Sequence, residues 1–231
     1  MAPLPDDNPY PSIAAIPLPD GYTRITTASG SFGAWLRQVP LKKEKQVHLF
    51  DGSLKSNQSA QFAVLNISVG DKNLQQCADA VMRLRAEYLF AVHRFDAIDF
   101  MDNAGTHYRF GMPFTREHFG HYLERVFGRC GSASLARQLQ PQASPGLVAP
   151  GDVLIRGGFP GHAVIVMDVA VNAANERIFL LAQSYMPAQD IHVLLNPMDE
   201  NLSPWYKAGL QANIITPEYI FSGKEWKGWG N

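Results

Sequence analysis

Long apolar runs, blocks of like charge and cysteines are all scarce in this 231-residue chain, and each scarcity removes a class of protein. No stretch approaches the roughly 20 consecutive apolar residues that a helix needs to span a bilayer, so no integral membrane segment is expected. The formal net charge is −1, and the densest basic stretch is Lys42-Lys43-Glu44-Lys45. That supplies no electrostatic footprint for nucleic acid. Two cysteines, Cys77 and Cys130, make no disulfide framework, although one bridge between them is conceivable. The start, Met1-Ala2-Pro3-Leu4-Pro5-Asp6-Asp7, has neither a basic nor an apolar region, so no signal peptide is read there. Its polar, Pro-rich character reads as the stalk behind a removed export signal. An extracytoplasmic setting, periplasmic or lipoprotein-derived, is therefore the expectation, with a cytoplasmic protein carrying a loose arm as the alternative.

What remains is ordinary globular material. Hydrophobic residues make up 46% and charged residues 18%, which argues against global disorder. Residues 1–21 hold six prolines and few apolar anchors and read as an extended arm. Residues 22–231 are long enough to bury one core and read as a single domain.

Ser31 to Arg37 predicts a short helix capped by Ser31 and stopped by Pro40. Residues 46–50 and 61–67 read as strands. From Leu74 to Phe90, apolar positions 74, 77, 78, 81, 84 and 88 follow helical spacing, with Asp71 or Asn73 as candidate caps. Two short strands (95–101 and 106–110) precede a helix from Thr115 to about Phe127, and 141–150 reads as a linker. Then the pattern turns to β at 153–155, 163–169, 177–184 and 191–195. An aromatic tail from Trp205 to Trp229 is expected to pack over the body. Helices first and an antiparallel sheet later argue for α+β.

Two segments carry the chemistry. Cys77 falls in about the first turn of its helix, where unpaired N–H groups and a partial positive charge favour a thiolate. It also lies on the apolar stripe, where a free cysteine is ordinary core filler. His162 follows Gly157-Gly158-Phe159-Pro160-Gly161, a loop able to admit substrate backbone close to the ring, and it opens an apolar strand. Gln183 closes the next apolar run and is the candidate for orienting the imidazole.

Pro150-Gly151-Asp152-Val153 followed by Gly161-His162-Ala163-Val164-Ile165 resembles the PGD…GH motif of NlpC/P60 and CHAP cell-wall cysteine peptidases and amidases. More narrowly, with Gln76-Cys77-Ala78-Asp79-Ala80, the chain resembles a bacterial domain of unknown function, family 4846, over roughly residues 16–230. The papain-like resemblance implies an α+β fold with the nucleophile at the N-terminus of a helix packed on an antiparallel sheet. It implies Cys77 as nucleophile, His162 as base and Gln183 as orienting residue, with no cofactor and no metal. Gln76, Gln75 and Gly161 are the candidates for oxyanion or substrate binding, with the Cys77 N–H as a further donor. The sequence departs from the NlpC/P60 pattern, which usually has Asp-Cys-Ser/Ala-Gly at the nucleophile where this chain has Gln-Cys-Ala-Asp.

The expected function is hydrolysis of an amide bond in a peptide or peptidoglycan-like substrate. Alternatives on the same scaffold are a non-catalytic glycan- or peptide-binding module and a thiol-dependent acyl or peptidyl transferase. Asp152 reads as structural, bonding the loop around His162. His118 and His121, at i and i+3 on one helix, have metal-ligand spacing but no assured third ligand. Asp96, Asp99 and Asp102 invite a two-carboxylate reading that strand alternation weakens. Trp205, Tyr206, Trp226 and Trp229 read as packing rather than as a sugar platform.

Overall fold

The computed structural model describes residues 7–142, 147–207 and 213–230. The first half supplies β1 (Tyr22–Arg24), α1 (Phe32–Gln38), β2 (Gln61–Val64), α2 (Cys77–Ala91), β3 (Asp99–Met101) and β4 (His107–Arg109). Two helices follow, α3 (Arg116–Phe127) and α4 (Ser132–Gln138), then β5 (Gln140–Pro141) and β6 (Val153–Arg156). The long strands are β7 (His162–Asn172) and β8 (Arg177–Gln183), followed by β9 (His192–Leu194) and β10 (Trp205–Lys207). The chain closes with β11 (Ile214–Ile215), β12 (Ile220–Phe221) and β13 (Trp226–Gly228).

Nine strands form one antiparallel sheet in the order β2-β9-β8-β7-β6-β13-β5, with β1 on β7 and β10 on β8. The class is α+β, as the order of patterns indicated. Its axis is β7, whose run His-Ala-Val-Ile-Val-Met-Asp-Val-Ala is buried throughout, the signature of a strand covered on both faces. Ala163, Ile165 and Met167 pack in one cluster with Ala78, Val81 and Leu84 of α2. Val164 and Val166 belong to a second cluster with Leu181, Phe221 and Trp226.

A register shift on β7 between Val166 and Asp168 interrupts this alternation. The bulge turns Asp168 toward the helical layer, where its fully buried carboxylate meets Arg24 Nε and Arg37 Nε, each at 2.6 Å. Val169 N–H donates to the same carboxylate at 2.9 Å. One buried charge thus holds β1 and α1 against the central strand.

Three sequence expectations change, and one helix is new. From residue 7 onward the Pro-rich segment is part of the body: Ile13 and Ile16 are buried in the main core, and Trp205 Nε1 donates to the Pro17 carbonyl at 2.8 Å. Residues 1–6 lie outside the described region. Residues 46–50 form no strand; His48 and Leu49 make only isolated bridges, because His48 N–H is taken by the Asp190 side chain. Helix α2 begins at Cys77 rather than Leu74. Helix α4 had no sequence counterpart. Ser31 does cap α1, accepting from Ala34 N–H at 3.2 Å, and Thr115 caps α3. Trp205, Tyr206 and Trp226 are buried, so the tail packs as expected.

Removing the central carboxylate should be costly, because it leaves two guanidinium groups facing a buried position without a counter-charge. Asp168→Ala is expected to lose about 3–5 kcal/mol in urea unfolding. A loss below about 1 kcal/mol would show that the cluster does not hold β1 and α1 in place.

Candidate functional site

The start of α2 is fixed by its own side chains. Gln76 occupies the N-cap position in extended conformation, and its N–H donates to Asp79 Oδ2 at 2.9 Å. Asn73 is a tether instead of the cap: its Oδ1 accepts from Ala188 N–H at 2.8 Å and from Gln76 Nε2 at 3.2 Å. Ser184 Oγ lies 2.9 Å from the carbonyl oxygens of both Gln75 and Gln189. The helix start is thereby locked to the segment just after β8. The backbone N–H of Ala163 reaches the Cys77 sulfur, which places the thiol against the first residues of β7.

His162 opens β7 because the preceding loop ends in a glycine with no room for a side chain. A Cβ on Gly161 would collide with the carbonyl oxygens of Gly158 and Arg156 and with Ser132 Oγ. The β7–β8 pairing ends at Ile165 opposite Ala182, so Gln183 continues opposite Val164, one step along the same face from His162. On the other side Gln183 pairs with His192. His162 Nε2 lies 2.8 Å from Gln183 Oε1, both side chains being buried. The imidazole is walled by the rings of Tyr185, Tyr219 and Phe221, at centroid distances of 4.7, 4.8 and 5.8 Å.

Cys77 and His162 face one cavity of about 350 Å³ at the end of β7. The thiol comes from the helical layer, whereas Val164 and Val166, which alternate with His162 along β7, pack in the cluster on the other side of the sheet. Gln76, Asp79, Cys130 and Gly161 also line it. Its mouth is apolar, with Phe159 95% and Met186 59% exposed. Among the described residues no hydrogen bond joins the sulfur to the imidazole.

Burial dominates the electrostatics. It pushes the Cys77 thiol above its ordinary value, with the Ala163 N–H pulling the other way and Asp79 adding to the rise. It lowers His162 to about 4, partly offset by the bond to Gln183. Both groups are therefore neutral near pH 7. This overturns the expectation of a thiolate held by the helix terminus: desolvation outweighs the N–H groups there. Asp79 is pushed up to about 8 by burial, against the opposing bond from Gln76 N–H, and its Oδ1 has no partner.

Of the six residues singled out from sequence, Cys77, His162, Gln183, Gln76 and Gly161 come together. Gln75 does not: its Oε1 accepts from an Arg83 guanidinium nitrogen at 3.1 Å, and it lines a separate cavity between α2 and α3. The Gln76 amide lines the cavity and spends one of its two N–H groups on Asn73. Asp79, Tyr185, Tyr219 and Glu218 were missed. Only Asp79 had a local signal, its position three residues after the N-cap.

The other candidates find structural partners. Asp152 accepts from Ala149 N–H at 2.8 Å and Gln142 Nε2 at 2.6 Å, so it ties the turn before β6 rather than the loop around His162. His118 Nδ1 bonds the Pro113 carbonyl at 2.8 Å. Asp99 is taken by His107 and Arg109, and Asp102 by Tyr108, which leaves no facing carboxylate pair. Cys77 and Cys130 are both free thiols.

Comparison with known proteins finds one family, described as Domain of unknown function (4846), matching residues 13–112 and 108–227. No curated protein and no solved structure matches the chain.

The raised Asp79 carboxyl has a thermodynamic signature. Against an ordinary value of 3.8, a folded-state value of about 8 means that the folded protein holds this proton while the unfolded chain releases it. The stability contributed by neutral Asp79 is therefore lost as pH rises from about 4 through 8. Asp79→Asn keeps an acceptor for Gln76 N–H and removes the titration. The wild-type melting temperature relative to Asp79→Asn should fall across that window and level off above it. A pH-independent difference would contradict the assignment.

Proposed function

The chain belongs to the family described as domain of unknown function 4846, a membership that assigns no chemistry, and from the site itself we propose that it is a papain-like cysteine hydrolase acting on an amide bond. One observation carries this reading. An imidazole whose Nε2 is held by a buried amide shares a cavity with a thiol at a helix N-terminus. The resemblance of the Pro150-Gly151-Asp152 and Gly161-His162 segments to NlpC/P60 and CHAP enzymes supports it and suggests a cell-wall peptide met outside the cytoplasm.

His162 Nδ1 takes the thiol proton as Cys77 Sγ attacks the carbonyl carbon. Neutral resting groups make this general-base catalysis at the moment of attack rather than a preformed ion pair. The Cys77 N–H, first of the unpaired donors of α2, stabilises the oxyanion. The imidazolium then protonates the leaving amine, and water, deprotonated by the same nitrogen, releases the acid.

One observation favours the second reading, a non-catalytic peptide- or glycan-binding module: the resting thiol is raised rather than activated. Limiting iodoacetamide on the native protein, with the modified cysteine mapped, separates the two. Cys77 is expected to label ahead of Cys130, and His162→Ala to slow it about 100-fold, the lower end of a positioned base's contribution. With His162 at about 4, the His162-dependent share of the rate is expected to be lost only below that pH, while the total rate rises with pH through neutrality as the raised thiol ionises. Labelling of Cys77 only after unfolding would eliminate the hydrolase.

A further inference from the structure

We infer that Glu218 is a positioning residue for His162: by accepting a hydrogen bond from the Gln183 amide it fixes which way that amide stands, and thereby which imidazole nitrogen is bare. The inference rests on the hydrolase reading for its purpose, but the arrangement of hydrogens can be decided without it.

A glutamine side chain has two ends of similar size and opposite hydrogen-bonding sense, so on its own it can present either end to a histidine. Presenting NH2 to Nε2 would require a bare Nε2 and leave the proton on Nδ1, where it blocks proton transfer from Cys77. Presenting oxygen requires an Nε2–H and leaves Nδ1 bare.

Two neighbours choose between these states. Glu218 Oε2 stands 2.7 Å from Gln183 Nε2, and a carboxylate can only accept, so this end of the amide is NH2. The carboxylate is held by Lys55 Nζ at 2.7 Å and by Asn57 Nδ2 at 3.0 Å on its other oxygen. Burial opposes its ionisation, but Lys55 and Asn57 outweigh it and hold Glu218 below the usual carboxylate range. The second NH2 hydrogen faces His192 Nε2 at 3.4 Å. That nitrogen is bare, because His192 Nδ1 lies 2.9 Å from the Asp190 carbonyl, to which it can only donate.

Turning Gln183 round would set its oxygen against a carboxylate on one side and a lone pair on the other. Gln183 Oε1 therefore faces His162 Nε2, which carries the proton. Nδ1 is the base. Glu218 sits in the turn between β11 and β12, and that hairpin also supplies Tyr219 and Phe221 to the walls around His162. One hairpin thus encloses the imidazole and sets its tautomer.

The test reads the tautomer directly. In the full-length chain with 15N-labelled histidine, at pH 7, His162 is assigned by its loss in His162→Gln. The wild type is expected to show a neutral ring protonated at Nε2; a proton on Nδ1 would overturn the inference whatever the variants do. Glu218→Leu combined with Lys55→Met removes acceptor and counter-charge together. It is expected to give a mixture of tautomers and to slow iodoacetamide labelling of Cys77 by the fraction of rings that lose a bare Nδ1, about twofold for an even mixture. A folded double variant with unchanged spectrum and rate would refute the role. Glu218→Gln keeps an acceptor oxygen and should retain both properties; its losing them while folded would also refute it. A wild type protonated at Nε2 whose native Cys77 does not label would sink the hydrolase and leave the positioning relay standing.

Discussion

Burial of β7 on both faces is the constraint from which the rest of the structure follows. A strand covered on two sides accepts polar side chains only where partners are built for them, and β7 has two such places. At the bulge, Asp168 is met by Arg24 and Arg37, which brings β1 and α1 onto the sheet. At its start, His162 is met by Gln183, and the end of β8 in turn locks the lead-in to α2 through Ser184. The same strand therefore organises the helical layer at one end and the cavity at the other.

The cavity is notable for carrying no ionised group at neutral pH. Cys77, His162 and Asp79 are each shifted by desolvation toward the uncharged form. The charges that set its hydrogen-bonding pattern, Lys55 and Glu218, are kept one amide away from the imidazole. Such a site holds its protons in defined positions without paying for a bare buried ion pair, and under the proposed hydrolase reading a reacting carbonyl would have to draw the proton from sulfur to nitrogen.

How much was legible in the sequence depended on whether the signal was local. Continuous apolar runs gave β7 and β8, and Ser31 and Thr115 marked helix starts through their side-chain oxygens. The Gly-bounded entry to β7 and the single polar residue closing β8 brought His162 and Gln183 together because hairpin register is itself local. The N-terminal segment was misread because its anchors, Ile13 and Ile16, are sparse and gain their meaning only from a distant core. Gln75 was grouped with Cys77 by adjacency, whereas the turn into α2 sends its side chain to Arg83. Glu218 was invisible, since no spacing rule connects a turn in the tail with Lys55, separated from it by 163 positions. The thiol's charge state was also misjudged: position at a helix end can be read from a sequence, but depth of burial cannot.

That separation bears on biosynthesis. Cys77 emerges from the ribosome well before His162, and the β11–β12 turn that holds Glu218 follows later still. A nascent polypeptide therefore carries the Cys77 thiol uncovered until β7, β8 and that hairpin have been made and docked. Contacts of such long range form late in folding. The amide–carboxylate relay around His162 is thus assembled late, and a chain cut before residue 218 would carry Cys77 and His162 without it.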